Sequence, residues 1–195
     1  MVNQEEISDT KLRQIFTYIQ GLKHHEMIRM MFFCSFGMGM RSINFYALTY
    51  SDVYDEQGNV KPVIYLSKDK NKGSKSCSYT VSSQVAKEFS EYLTYLKHKN
   101  KEIKPNTYLF QSQKGVNAPF TRPSISRIFT QIYKVFGLKL SSHYGRHHLI
   151  TSLLRKGVDV CVVQQAVCHS SPSTTLKYYL QSKERVREAV ELMKI

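Results

Sequence analysis

The feature that most constrains how this chain folds is a single change of hydrophobic period. From Asp9 to Gly21, Leu12, Ile15, Phe16 and Ile19 recur at three- and four-residue spacing, with Asp9 placed to cap a helix. A second helical stripe, His25 to Phe36, carries Met27, Met30, Met31 and Phe33 and stops at Gly37 and Gly39; a short third helix follows from Arg41 to about Leu48. Between residues 52 and 81 the period drops to two. Asp52 to Tyr54, Val63 to Leu66 and Cys77 to Val81 read as three strands, separated by a turn over 55–59 and a Lys/Gly/Ser turn. The helical period then returns, from Ser82 or Ser83 to about Lys99, with Val85, Phe89, Tyr92, Leu93 and Leu96 on the buried stripe. Residues 100–123 are mostly loop, broken by Pro105, Pro119 and Pro123 around a short Tyr108-Leu109-Phe110 segment. Helices are predicted over about 124–136, 144–156, 159–168, 172–180 and 183–194. The expected fold is mixed α/β of the α+β kind, mainly helical, with one small three-stranded antiparallel sheet. A length of 195 residues suits a single domain over 1–195.

Composition narrows the function. There are 28 Lys and Arg against 15 acids, a formal net charge of +13, which points to a polyanionic partner. From Ile103 to Lys183 the one acid is Asp159, against eleven basic residues that include Arg122, Arg127, Arg146 and Lys177. A second basic island, Lys68, Lys70, Lys72 and Lys75, is opposed only by Asp69. Solvated surfaces ordinarily interleave both signs, so this segregation favours nucleic acid, with Lys68, Lys70, Lys75, Arg122, Arg127 and Lys177 as candidate DNA contacts. The chain carries no apolar run long enough for a membrane span, and Glu5, Glu6 and Asp9 stand where a signal peptide is basic and then apolar. No membrane partner is expected. Cys34, Cys77, Cys161 and Cys168 are too scattered for a secreted disulfide scaffold and read as reduced thiols.

The C-terminal third gathers the chemically distinctive side chains: Ser142-His143-Tyr144-Gly145-Arg146-His147-His148, then Cys168-His169 and Tyr178-Tyr179. His143 and Arg146, three apart at the opening of a helix, point into the same space. A guanidinium offers parallel donors that match two phosphate oxygens, the helix start adds backbone N–H groups, and an imidazole moves protons near neutral pH. Taken alone, the pair fits a capping or core histidine and a surface arginine better. A zinc site from His143, His147, Cys161, Cys168 and His169 is the rival chemistry, but neither C-x-x-C nor H-E-x-x-H spacing is present, and no metal and no cofactor are expected.

The residues do not stand alone. Arg41 follows the Gly-rich helix end in Gly39-Met40-Arg41 and precedes Leu48-Thr49-Tyr50-Ser51-Asp52-Val53; Lys72-Gly73-Ser74-Lys75 leads into Thr80-Val81; His143-x-x-Arg146-His147 is followed by Val167-Cys168-His169-Ser170-Ser171, Thr174-Thr175 and Tyr178. In this order and at these spacings, over roughly residues 8–190, the chain resembles the tyrosine recombinase (phage integrase) family, specifically its catalytic domain. It departs from the family pattern at four places. Ile43-Asn44 stand where Ser-Glu usually follows the first Arg, Cys168 stands where Gly is usual, Ser76 and Cys77 stand where an Arg commonly follows the second Lys, and the family's N-terminal DNA-clamping domain is not expected in this chain.

The resemblance implies a site-specific DNA strand transferase working through a covalent 3′-phosphotyrosine, without metal or ATP. Its catalytic set is Tyr178 as nucleophile with Arg41, Arg146, His143, His169 and Lys72. Spacing to His169 favours Tyr178 over Tyr179, and turn position favours Lys72 over Lys70 and Lys68. It further implies double-stranded DNA as partner, a tetrameric synapse on DNA formed from free monomers, and a cytoplasmic, nucleoid-associated protein of bacterial, phage or mobile-element origin. The alternatives are a DNA topoisomerase similar to the type IB class and a catalytically inactive DNA-binding accessory protein. A tail helix over about 183–195 has Val186, Ala189, Val190 and Met193 on one stripe, and by the resemblance it docks on a neighbouring subunit.

Overall fold

In a computed structural model, residues 7–70, 76–99, 103–112, 117–179 and 191 are described. Lys72, Lys75 and the tail beyond Tyr179, residue 191 excepted, lie outside them. The chain runs α1 (Asp9–Gln20), α2 (His25–Phe36), α3 (Ser42–Phe45), α4 (Tyr50–Val53), β1 (Val63–Leu66), a 3-10 turn at Lys68–Lys70, β2 (Cys77–Thr80), α5 (Ser83–His98), α6 (Arg122–Val135), α7 (Tyr144–Arg155), α8 (Val160–Ala166) and α9 (Pro172–Tyr179). Among the described residues, no helix is long and apolar enough to cross a membrane.

Helix α2 is the centre of the fold because its sequence is apolar nearly all round. Ile28, Met30, Met31, Phe32, Phe33, Cys34 and Phe36 are all buried, which only a helix covered on several sides tolerates. Helices α1, α5 and α7 pack against it. Phe32 stacks on Phe129 of α6 at 4.2 Å between ring centroids, with Tyr133 and Phe36 beside it. On the α5 side, Arg29 donates to both carboxylate oxygens of Glu88, at 2.7 and 2.5 Å, while its guanidinium lies over Phe16 and Phe33.

Helix starts follow the capping side chains. Ser8 rather than Asp9 caps α1, accepting from Lys11 N; Ser82 caps α5, Thr121 caps α6 and Asp159 caps α8. The sheet differs from expectation. Among the described residues it has two strands, β1 and β2, antiparallel with Val63 opposite Thr80 and Leu66 opposite Cys77. The segment predicted as a third strand, Asp52 to Tyr54, is instead mostly helical. Asp52 Oδ2 accepts from the Thr49 backbone N–H and from Thr49 Oγ1, both at 2.7 Å, closing a helix start before the strand pattern takes hold. Tyr54 pairs only through a single bridge to Val60. A second correction concerns the thiols: Cys77 and Cys168, 91 residues apart, are joined as a disulfide, while Cys34 and Cys161 are free.

Candidate active site

Two glycines decide how the site is built. A Cβ on Gly145 would meet Phe36 Cδ2 at 2.7 Å, so glycine there lets the start of α7 lie directly on α2. Close approach turns Arg146 inward, where only 4% of its surface remains exposed. Gly39, at φ +63°, ends the α2 loop in the left-handed region and presents its carbonyl to Arg146 Nη1 at 2.6 Å. A Cβ on Gly39 would collide with Val167 Cγ1 at 2.8 Å. The same turn leads directly into Arg41, at the N-cap position of α3.

Arg146 is thus buried with partners that bear no formal charge. Among the described residues no carboxylate lies within ion-pair distance of it, and Nη2 is buried without a hydrogen-bond partner. Burial first, then the charge of Arg41, lowers its pKa to about 10, against the opposing influence of Tyr79 and Tyr178. The Tyr79 hydroxyl accepts from Asn44 Nδ2 at 3.0 Å, so Asn44, one of the departures from the family pattern, is tied to a tyrosine that bears on Arg146. A buried guanidinium without a compensating anion is costly; a phosphate supplies both the charge and the acceptor.

His169 is held by the end of α8. Val167 closes the helix, Cys168 takes the left-handed conformation (φ 54°), Cys168 N donates to Gln165 O and His169 N donates to Gln164 O. This double bond pattern is a Schellman cap. The His169 side chain, 7% exposed, shares a 2.7 Å hydrogen bond between Nδ1 and the buried Thr175 Oγ1. Burial, then the charges of Arg146 and Arg41, lower its pKa to about 4, so it is neutral at physiological pH. Tyr178, on α9, lies with its ring stacked on His169 at 6.1 Å and tilted against His147 at 5.1 Å. His143, at the N-cap position of α7, is exposed; loss of hydration, then Arg41, Arg122 and Arg146, lower its pKa.

Five of the six residues expected in the catalytic set are therefore described. Arg146, His169 and Tyr178 are joined by direct contact or charge; Arg41 and His143 are joined to them through the electrostatics of the arginine pair. Lys72 and Lys75 fall outside the described residues. Of the candidate DNA contacts, Lys68, Arg122, Arg127 and Lys177 are exposed, whereas Lys70 is engaged, its Nζ 2.5 Å from Asp52 Oδ2 and 3.2 Å from Thr49 Oγ1. The alternative metal set does not assemble: the Cys168 sulfur is bonded to Cys77, and the described residues hold no group of three or more His, Cys, Asp or Glu placed for a metal. Sequence reasoning missed Tyr79, which carried no motif. Gly39 and His147 stand within the quoted motifs, but the bond of the Gly39 carbonyl to Arg146 and the contact of His147 with Tyr178 were not read from them.

The fold is one seen before in recombinases. It superposes on the crystal structure of XerA recombinase with a TM-score of 0.75, at 23% identity over 100% of this chain and 67% of that one. XerH recombinase bound to palindromic difH substrate gives 0.72, at 22% identity over 95% of this chain and 52% of that one. In sequence, the tyrosine recombinase XerA of Pyrococcus furiosus is 26% identical over 157 residues, 80% of this chain and 51% of that protein. The chain spans about half the length of that relative. The profile of the Phage integrase family matches residues 5–185, and the chain belongs to that family.

Proposed function

We propose that this chain is the catalytic part of a site-specific DNA recombinase that cleaves and rejoins strands through Tyr178. The observation that carries this reading is Arg146: a buried guanidinium with formally uncharged protein partners and an unfilled Nη2, set beside a tyrosine and a neutral histidine. A DNA phosphodiester is the anion that fits. Tyr178 Oη attacks phosphorus, forming a 3′-phosphotyrosine as the bond to the 5′-oxygen breaks. Arg41 and Arg146 offset the charge that grows on the non-bridging oxygens, an effect worth roughly 10²–10³-fold in rate for each donor. His143, its pKa lowered, is neutral and accepts the tyrosine proton. We assign Thr175 Oγ1 as the donor to Nδ1, which leaves the His169 hydrogen on Nε2 for donation to a phosphate oxygen. Lys72 protonates the leaving 5′-oxygen. A 5′-hydroxyl from another strand then attacks the phosphotyrosine, restoring Tyr178 and a phosphodiester, so bond energy is conserved.

Lys68, Lys75, Arg122, Arg127 and Lys177 supply phosphate contacts along the duplex, and Lys70 adds its charge while tied to Asp52. The free chain is a monomer, and paired sites assemble four copies through the tail at about 183–195. The test is trapping on a library of nicked duplexes, in which loss of the short fragment makes the adduct irreversible. Tyr178→Phe should abolish the adduct while retaining DNA affinity, and Tyr179→Phe should keep it. An active Tyr178→Phe with a dead Tyr179→Phe would overturn the assignment. Exchange between two duplexes, as opposed to loss of supercoils alone, separates a recombinase from a topoisomerase. Absence of any adduct would leave a DNA-binding accessory.

A further inference from the structure

Cys168 sits where the backbone penalises it. It holds φ at 54° as the left-handed residue of the cap after α8, a position that glycine fills without strain and that a residue with a Cβ fills at a cost. The side chain that occupies it is bonded through its sulfur to Cys77. The Cα–Cα separation of 5.9 Å lies within the usual disulfide range of about 4.4–6.8 Å, so the backbone brings the two residues together. The bond joins the two halves of the candidate site. Cys77 opens β2, directly after the segment that carries Lys72, and β2 also carries Tyr79, which bears on Arg146. Cys168 immediately precedes His169. Beyond this bond, β2 pairs with β1 over four residues, packs lightly on α8 and is pinned by the buried Tyr79, which accepts from Asn44; a two-stranded sheet is marginal by itself.

We propose that Cys77 and Cys168 form a reversible thiol–disulfide modification site, in which the crosslinked state preorganises β2, with its Tyr79 beside Arg146, against the His169 loop for cleavage. This rests on the strand-transfer reading given above. The reacting class is low-molecular-weight disulfides and thiols. Half-buried Cys168 is the accessible sulfur and Cys77, 5% exposed, is the resolving one. In oxidation, the Cys168 thiolate attacks a small disulfide and expels one small thiolate. The Cys77 thiolate then attacks the Cys168 sulfur of the mixed disulfide and expels the second. Two protein thiols lose two electrons and two protons, and one small disulfide becomes two thiols. Reduction runs the same steps backwards.

The test uses the full chain equilibrated with excess oxidised glutathione or with dithiothreitol. Alkylation under denaturing conditions, read by peptide mass, should then find Cys77 and Cys168 both blocked without added glutathione in the first state, and all four thiols free in the second. Amide exchange at residues 76–81 should be slower when oxidised. Trapping on nicked duplexes should proceed several-fold faster in the oxidised state. Cys77→Ser and Cys168→Ser should both react at the reduced rate under either reagent, while Cys161→Ser should respond as the unmodified chain does. Cys168→Gly, which removes the backbone strain along with the thiol, keeps the comparison available if Cys168→Ser does not fold. Four alkylated thiols in oxidised glutathione would overturn the site, as would equal amide exchange in the two states. Equal or faster trapping in the reduced state would overturn its role in cleavage. If neither state gives an adduct, the strand-transfer reading fails, while the thiol count and amide exchange still decide the site.

Discussion

The molecule has two apolar regions of very different build. Under α1, α2, α5 and α6 lies a large core rich in rings, with Phe32, Phe45, Phe89, Phe110, Phe129, Tyr79 and Tyr133 all fully buried. Between α7, α8 and α9 lies a second cluster, whose buried members are Ile150, Leu154, Val163 and Val167, with Tyr178 packed at its edge. Arg146 is anchored to the first region through Gly39 and the α2 contact. Tyr178 depends on the second, and His169 follows directly from the α8 cap that this region supports. The difference teaches a division of labour under the proposed mechanism: the arginine proposed to hold phosphate is anchored to the part that buries most apolar surface, and the proposed nucleophile sits on the part that buries least. Segments with few buried contacts open at lower free energy than the global transition, so Tyr178 lies on the side of the molecule expected to open first.

The strongest way to break this contrast is to open a cavity in each region. Phe129→Ala removes the ring stacked on Phe32 and should lower global stability by about 3–5 kcal/mol, measured by urea unfolding. Its trapping rate at low temperature, where the variant is still folded, should change little. Val163→Ala in the small cluster should cost only about 2 kcal/mol, yet slow trapping more than Phe129→Ala does. If the two variants lose activity in proportion to stability, the regions are not functionally distinct.

A smaller effect sharpens the contrast through pH. His169 has a folded pKa of about 4 against an ordinary value near 6.5, so between those values the unfolded chain binds a proton that the folded chain does not. Stability should therefore be full above about pH 6.5, fall as pH drops towards 4, and level off below, with a total on the order of 3 kcal/mol. His169→Asn should flatten that limb of the urea midpoint against pH. A bound duplex supplies negative charge beside the imidazole and should also shift the limb. An unchanged slope in the variant would assign the acid limb to other groups.

The smallest expected effects come from helix caps, one in each region. Ser82 accepts from Val85 N at the start of α5, and Asp159 accepts from Cys161 N and Val162 N at the start of α8. Replacing either with alanine should cost about 1 kcal/mol. Only Asp159→Ala should raise amide exchange along α8 and slow trapping; matched behaviour of the two would blur the contrast.

Much of this organisation was legible in the sequence because local signals agreed with tertiary ones. Helix α2 runs over the expected residues, His25 to Phe36, since its apolar run and terminal glycines leave little choice of boundary. The strand expected at Asp52 to Tyr54 failed because a Thr49–Asp52 hydrogen bond, three residues apart, outranked an alternation only three residues long. The order of Arg41, His143, Arg146, His169 and Tyr178 marked the site, but what surrounds it was not legible. The Cys77–Cys168 bond spans 91 residues and carries no spacing signature, and Asn44 gives no hint in sequence that its side chain meets Tyr79.

The bond from Arg146 to Gly39 has one more consequence. Its acceptor is a main-chain oxygen, which every amino acid at position 39 would possess, so the anchor cannot be deleted by changing that side chain. It can only be displaced, by a residue unable to hold φ at +63° or to clear Val167. Arg41 lies two residues further along the same backbone, so the carbonyl ties the Arg146 guanidinium to the stretch of chain from which Arg41 projects. The tether runs through peptide geometry, and sequence drift in the surrounding side chains leaves its acceptor in place.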